Sequence, residues 1–491
     1  MIRGDLTRLA MKNILFVTSE AVPFIKTGGL ADVCGSLPKY IDRSRYDVRI
    51  MLPKYACMDD KFKKKLKFLS HFYVTLGWRQ QYVGILESED DGIKYYFLDN
   101  EYYFAGENPY NHIYEDVEKF AYFSKAALDA IGYIDFAPDI IHCHDWQTGL
   151  VPVYLKTFYN KHASLQGAKT VFTIHNLKFQ GRWMIEAVQD ITGLPDSLFT
   201  PDKLESYGEA NYLKGGVTYS DYVTTVSPSY VSDIKTREGG EGLDGLFKAR
   251  QDSLFGIING LDYTEYDPLK DTYIERRFDA SGFREGKAAN KKALQEELSL
   301  PIDPDCIMIG MVSRMTDQKG FDLVNYIMEE LLMNARVQIV LLGTGESRYE
   351  SSMKYFENKY PDKISANIGY SERLAHRIYA SCDAFMMPSL FEPCGLSQLM
   401  SMRYGTIPIV RETGGLKDTV EPYNEVTAAG SGFSFANFNA HEFKNTLYYA
   451  MHIYYDNRAD WDAMVERDMA KDFSWSNSAK QYEEMYDRLL Q

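Results

Sequence analysis

The sequence contains no apolar run approaching the roughly 18 residues that a membrane helix needs. Its first ten residues, Met1 to Ala10, also lack the apolar centre of a secretory signal. A soluble, non-secreted, cytoplasmic protein without a membrane partner is expected. Cysteine is sparse: Cys34, Cys57, Cys143, Cys306, Cys382 and Cys394 form no C-x-x-C pair and do not group with histidine at zinc spacing. Reduced thiols follow. Positive charge is also scarce, because 54 Lys and Arg face 69 Asp and Glu, a formal charge of −15. A nucleic-acid partner would demand a basic surface, so none is expected, and any anionic ligand must meet cations that are local. No G-x-G-x-x-G follows the first strand candidate, which disfavours a two-Rossmann nicotinamide enzyme.

What is present is a globular composition, 45% hydrophobic over 491 residues, longer than the roughly 250–300 residues at which one core stops growing. Two or more domains are therefore expected. Short β-rich runs alternate with helical stretches. Asn13 to Thr18 precedes the amphipathic Leu30 to Ile41, Asp139 to His142 precedes Trp146 to Tyr159, and Thr170 to Ile174 and Tyr222 to Val226 end in polar loops. Near-continuous apolar strands between helices predict parallel sheets buried on both faces, an α/β class. Phe72 to Leu76, Tyr82 to Leu86 and Ile93 to Leu98 predict an antiparallel meander inserted in the first α/β unit.

The rhythm restarts after Phe255 to Gly260, with strand candidates at Ile307 to Val312, Val337 to Leu342, Ala384 to Met387 and Thr406 to Val410. The predicted organisation is an N-terminal extension (1–11), a first doubly wound domain (12–254), a second (255–472) and a terminal helix packing back on the body (473–491). Thr27 to Val33 is echoed by Thr413 to Val420, each with paired glycines at a turn that opens a helix. Such turns suit an anion approached by backbone N–H groups, or are plain helix starts.

Several strand ends carry residues with chemistry. Arg314 and Lys319 follow a buried strand, where ligands bind in an open α/β sheet, and suit a phosphoryl leaving group. Glu392, between Pro388 and Gly395, is either a helix N-terminal charge or an acceptor for sugar hydroxyls. Asp145 in His144-Asp145-Trp146 is either an N-cap or a site carboxylate, and His175 is either a satisfied polar group or a site residue. Aromatic residues from Tyr95 to Tyr110 could face sugar rings, though core packing accounts for most of them.

Together these segments resemble one family: bacterial glycogen synthases and plant starch synthases, retaining glucosyltransferases of the GT-B fold. The resemblance rests on Lys26-Thr27-Gly28-Gly29-Leu30-Ala31-Asp32-Val33, His144-Asp145-Trp146, Thr173-Ile174-His175-Asn176-Leu177 and Asn211 to Gly216. It continues through Val226-Ser227-Pro228, Gly256 to Asp262, Ser313-Arg314 with Gln318-Lys319-Gly320, Phe391 to Leu396, and Arg411 with Thr413 to Leu416.

The resemblance implies two doubly wound Rossmann-like domains facing a central cleft, with ADP-glucose as donor and an α-1,4-glucan such as glycogen as acceptor. It implies that Lys26 with Gly28 and Gly29 meets the donor, that Arg314 and Lys319 hold the diphosphate, and that Glu392 with the backbone of Cys394, Gly395 and Leu396 binds glucose hydroxyls. Ser397 would lie near the phosphates and Tyr370 at the nucleobase. Asp145 and His175 would line the reaction centre, His175 through its carbonyl.

Two positions depart from the family pattern. Gln147 stands where many members carry a histidine, and Met400 where many other GT-B transferases place a second glutamate. No D-x-D pair stands in the donor loops, so neither a metal nor a cofactor is expected to be required. Without an evident carboxylate pair, a same-face displacement is expected rather than the two-carboxylate hydrolase route. Arg237 to Gly245 is expected to be flexible and to move with domain closure. The alternatives are another nucleotide-sugar transferase or epimerase on the same fold, and an inactive glucan-binding protein.

Overall fold

The computed structural model describes residues 11–491, so the expectations for residues 1–10 lie outside the described residues. The chain forms two compact units. One takes the chain up to Val226, then Val231–Ile257 and Trp475–Gln491; the other takes Ser227–Tyr230 and Ile258–Ser474. Among the described residues no helix is long and apolar enough to cross a membrane.

The first unit is built on a nine-stranded sheet. Its strands are β1 (Lys12–Val17), β2 (Tyr46–Pro53), β3 (Lys67–Leu76), β4 (Arg79–Asp90), β5 (Ile93–Asp99), β6 (Ile140–His144), β7 (Lys169–Ile174), β11 (Tyr222–Thr225) and β12 (Leu254–Gly256), in the order β12-β11-β7-β6-β1-β2-β5-β4-β3. Strands β8 (Arg182–Met184), β9 (Glu205–Ser206) and β10 (Glu209–Asn211) form a small separate sheet. Ile14, Leu15 and Phe16 of β1 are fully buried, as a strand covered on both faces requires.

The meander is present in the first α/β unit as β3, β4 and β5, and β5 pairs in parallel with β2, so it extends the parallel sheet. The first five residues of β3 include no buried one, which hid that half from the sequence reading, whereas Phe72, Val74 and Leu76 alternate inward. Tyr95 and Phe97 are completely buried in the same core, whereas Tyr102 is exposed.

Strand β12 pairs with β11, and the Ile257 amide donates to the Thr225 carbonyl. The boundary expected after residue 254 therefore falls after Ile257. The terminal helix Trp475–Leu489 packs on the first unit, burying Trp475, Tyr482, Met485 and Tyr486 in its core.

The second unit carries β13 (Ile307–Val312), β14 (Val337–Gly343), β15 (Ile364–Ile368), β16 (Ala384–Met387), β17 (Ile407–Arg411) and β18 (Phe433–Phe435), in the order β15-β14-β13-β16-β17-β18. All their pairings are parallel. The two strands beyond the four expected, β15 and β18, are the sheet edges, where burial is incomplete and the apolar signal weak.

In each of the two large sheets the strand order reverses beside one strand: at β1, between β6 and β2, and at β13, between β14 and β16. Such reversals open a crevice at the carboxyl ends of the strands. The residues singled out from the sequence stand on the loops that leave those ends.

Candidate active site

In the first unit, the loop after β1 is organised by Glu20, which is 2% exposed. Its carboxylate accepts from the Thr27 hydroxyl at 2.7 Å, from the Thr27 amide and from the Tyr110 hydroxyl. This holds the turn that leads to Gly28 and the helix Gly29–Tyr40. Tyr110 therefore serves through its hydroxyl, as a brace on Glu20, which composition alone did not reveal.

Gly28 has an extended backbone, caps no helix N–H with a side chain, and a Cβ added there would meet nothing within 4 Å. The start of a 12-residue helix is thus left uncapped by any side chain, a setting that favours an anion. Lys26 Nζ lies 2.7 Å from Asp32 Oδ1, on the first turn of that helix.

Asp145 follows β6 with a positive φ of 56°, a strained conformation for a residue with a Cβ. The N-cap alternative fails, because its side chain makes no cap hydrogen bond to the turn that follows. Instead its carboxylate reaches across to β7, accepting from the His175 amide at 2.7 Å and from the Asn176 amide. Burial pushes its pKa up to about 7 against the pull of those amides.

His175 sits beside His144, with Nε2 3.1 Å from His144 Nδ1. Burial lowers the His175 pKa to about 3 and keeps both rings neutral. Behind them, His142 bonds the Tyr486 hydroxyl at 2.8 Å and Thr173 Oγ1 at 2.6 Å, tying the terminal helix to the strands that carry Asp145 and His175.

Next to Asp145 lies a cavity of about 280 Å³ whose lining includes Trp146, Phe179, Gln180, Arg182 and Glu241. Gln147 is buried, with no partner for its Oε1. The stretch from Arg237 to Gly245 is not the loose loop expected. Gln180 Nε2 donates to the Glu241 carbonyl, the Gly240 and Leu243 amides close successive turns, and Leu243 is buried.

In the second unit, Arg314 and Lys319 follow β13, and Glu392 follows β16. Lys319 Nζ lies 2.6 Å from Glu392 Oε2, and Ser389 Oγ donates to the same oxygen at 3.1 Å. Glu392 is thus a buried carboxylate paired with a cation, a contact that neither of the two readings left open had included. Arg314 is exposed and, among the described residues, makes no ion pair.

The second glycine pair does not repeat the first. Cβ atoms at Gly414, whose φ is +44°, and at Gly415 would each lie 2.0 Å from a carbonyl oxygen, of Glu392 and Cys394 respectively. The Gly415 amide already donates to the Glu392 carbonyl. These glycines let a helix seat against the Glu392 loop.

Cys394 is buried; Gly395 and Leu396 lead to the helix Ser397–Arg403, whose first hydroxyl bonds Tyr379. Tyr370, beyond β15, is 82% exposed. All six cysteines are free thiols. Glu20 and Ser389 escaped the sequence reading. The signal available for Glu20 was a carboxylate three residues past a buried strand and just ahead of a glycine turn.

A family model described as "Starch synthase catalytic domain" matches residues 13–249, and one described as "Glycosyl transferases group 1" matches residues 295–466. The chain is 59% identical over 479 residues to a glycogen synthase of Lachnospira eligens, covering 98% of this chain and 100% of that protein. It is 57% identical, at the same coverage, to a glycogen synthase of Lachnoclostridium phytofermentans. Among solved structures, it matches the catalytic domain of starch synthase IV from Arabidopsis thaliana, bound to ADP and acarbose. That match has a TM-score of 0.91 at 33% identity and covers 98% of this chain and 100% of that one. A sucrose-phosphate synthase from Thermosynechococcus elongatus, with a TM-score of 0.61 at 16% identity over 97% of this chain and 99% of that one, shares the fold alone.

Proposed function

The chain belongs to the glycogen and starch synthase family of GT-B glucosyltransferases, and from that premise we propose how its residues divide the reaction. Glucose passes from ADP-glucose to the non-reducing end of an α-1,4-glucan with retention of configuration, in glycogen biosynthesis. The ADP bound to the Arabidopsis starch synthase supports the choice of nucleotide.

The observation that carries the reading is the Lys319–Glu392 contact beside the exposed Arg314, at the point where the second sheet reverses its order. Arg314 and Lys319 receive the donor's diphosphate, whose charge grows as the bond to the sugar breaks. Glu392 keeps the Lys319 ammonium in place and offers its remaining acceptor capacity to glucose hydroxyls, together with the backbone of Cys394, Gly395 and Leu396. Ser397 lies by the phosphates and Tyr370 by the nucleobase. Lys26, with the uncapped helix start at Gly28 and Gly29, also contacts the donor.

The transfer is a same-face displacement. The C1–oxygen bond to the diphosphate lengthens, the departing phosphate oxygen takes the proton of the acceptor's 4-hydroxyl, and that hydroxyl oxygen bonds C1 on the face just vacated. Asp145 and the His175 carbonyl border the developing positive charge, and the cavity beside Trp146 takes the acceptor chain through ring stacking. With two cations on the leaving group, this route calls for no metal or cofactor. The six free thiols are in keeping with a cytoplasmic setting.

Incorporation of labelled glucose into glycogen from ADP-glucose and from UDP-glucose tests the reading. Transfer chiefly from ADP-glucose is expected; incorporation from UDP-glucose alone, or none from either, would overturn it.

A further inference from the structure

We propose that Glu265, Glu372 and His376, in the second unit, form a binding site for a divalent transition-metal ion, with zinc the best match. One carboxylate oxygen from each glutamate and one ring nitrogen of His376 lie within 4.8 Å of one another.

The histidine is prepared for the role. His376 is 1% exposed, and its Nδ1 lies 2.7 Å from Asp271 Oδ2. That carboxylate is itself fixed, by the Tyr404 hydroxyl at 2.6 Å and by the Tyr273 amide at 2.8 Å. Tyr266 stacks on the imidazole at 4.8 Å and 15°, and Tyr273 meets its edge at 5.1 Å. A carboxylate on Nδ1 holds the proton there and leaves the Nε2 lone pair directed the other way. This is the carboxylate–histidine arrangement that orients metal ligands.

Nε2 is buried and has no hydrogen-bond partner in the protein. An unsatisfied buried nitrogen is costly unless something occupies the space in front of it.

Two glutamates supply what that occupant needs. Glu372 begins the helix Glu372–Ser381, one turn before His376, and an i,i+4 spacing puts both side chains on one helix face. Glu265 comes from the loop after β12 and is half-buried, while Glu372 is exposed, so the site opens to solvent on one side. Two carboxylates carry a charge that a dication cancels.

Ligand atoms of a tetrahedral zinc ion sit roughly 3.3 Å apart, from bonds of about 2.0–2.2 Å. The torsions of the two glutamates can close the remaining gap, with water as fourth ligand. A nitrogen donor argues against calcium or magnesium, which prefer oxygen alone. The ion would fasten the start of the helix to the loop carrying Glu265. It lies outside the transfer chemistry.

The test uses untagged full-length protein, stripped with chelator and dialysed. Zinc titration calorimetry and the visible spectrum of bound cobalt(II) are measured for the wild type, Glu265→Gln, Glu372→Gln and the double variant. Both substitutions keep side-chain size at positions that are not fully buried, so folding is retained, and circular dichroism checks it. One zinc per chain is expected in the wild type, weakened by about 10-fold or more in each single variant and lost in the double variant. A zinc-dependent rise in Tm is expected in the wild type alone. Equal binding by the wild type and the double variant, or no binding by the wild type, would overturn the proposal.

Discussion

Lys319 Nζ and Glu392 Oε2, 73 residues apart in sequence, meet at 2.6 Å and join the loops after β13 and β16. The side chains are only 19% and 8% exposed, so neither charge is fully solvated without the other. The pair is a structural link between two loops.

Replacing the two cations should therefore have different consequences. Arg314→Ala is expected to lower kcat by about 10²–10³-fold or more, through loss of leaving-group stabilisation, while leaving Tm unchanged because the side chain is exposed. Lys319→Ala should cost similar activity and also destabilise the fold by about 1–3 kcal/mol, since it strands a buried carboxylate. Thermal melts read beside glucan-elongation rates check both; near-normal elongation by Arg314→Ala would remove it from the site.

The activity should carry a pH dependence set by Asp145. Its pKa is raised to about 7, so the carboxylate forms as pH rises through neutrality, and kcat/KM is expected to rise over the same range. His175, lowered to about 3, stays neutral throughout and adds no limb. Stability should move the other way: between the ordinary Asp pKa near 4 and about 7 the folded protein holds a proton that the unfolded chain has lost, so this group's contribution falls as pH rises. A full pH–rate profile of Asp145→Asn should lose the acidic limb; a limb that persists would assign it to another group.

The two glycine pairs should respond unlike each other to added methyl groups. Gly28→Ala meets open space on an extended backbone, so Tm should hold while the KM for ADP-glucose rises. Gly415→Ala drives a Cβ to 2.0 Å from the Cys394 carbonyl, and should lower Tm and displace the Glu392 loop. Donor titrations and melts of both variants decide this; a fall in Tm for Gly28→Ala equal to that of Gly415→Ala would contradict it.

Tyr486→Phe removes the hydroxyl that meets His142 at 2.8 Å and leaves a fully buried imidazole nitrogen without its partner. A loss of about 1–3 kcal/mol is expected, readable as a shift of the denaturant midpoint at unchanged slope. No shift would mean that the His142 contact adds nothing to the apolar packing and the Asp487 and Glu483 ion pairs that also hold the terminal helix.

Much of the fold was legible because buried parallel strands leave a continuous apolar run: β1, β6, β7, β13, β14, β16 and β17 were each readable. The edge strands β15 and β18 were not, since a strand with one open side needs fewer apolar residues. The half-exposed β3 showed only its inner half, and the attachment of the meander through β5 and β2 is a pairing choice that no local pattern records. At the site, strand-end positions and motif segments pointed to Asp145, His175, Arg314, Lys319 and Glu392. That Asp145 takes the His175 amide and that Lys319 meets Glu392 are pairings between separate strand ends, which leave no local trace.

The sequence alone determined the alternation of strand and helix, the absence of a basic surface, and which strand ends hold cations, carboxylates and glycines, because hydrophobic period and residue type are local properties. Only the tertiary structure decided that Asp145 binds amides of the loop after β7 and caps no helix, that Glu20 anchors the first glycine turn, and that the second glycine pair is filled by the Glu392 loop. It also decided that His376 keeps one nitrogen unpaired behind two glutamates. Those outcomes depend on distances between residues far apart in the chain, which are settled only when burying the apolar faces brings the strands into one register.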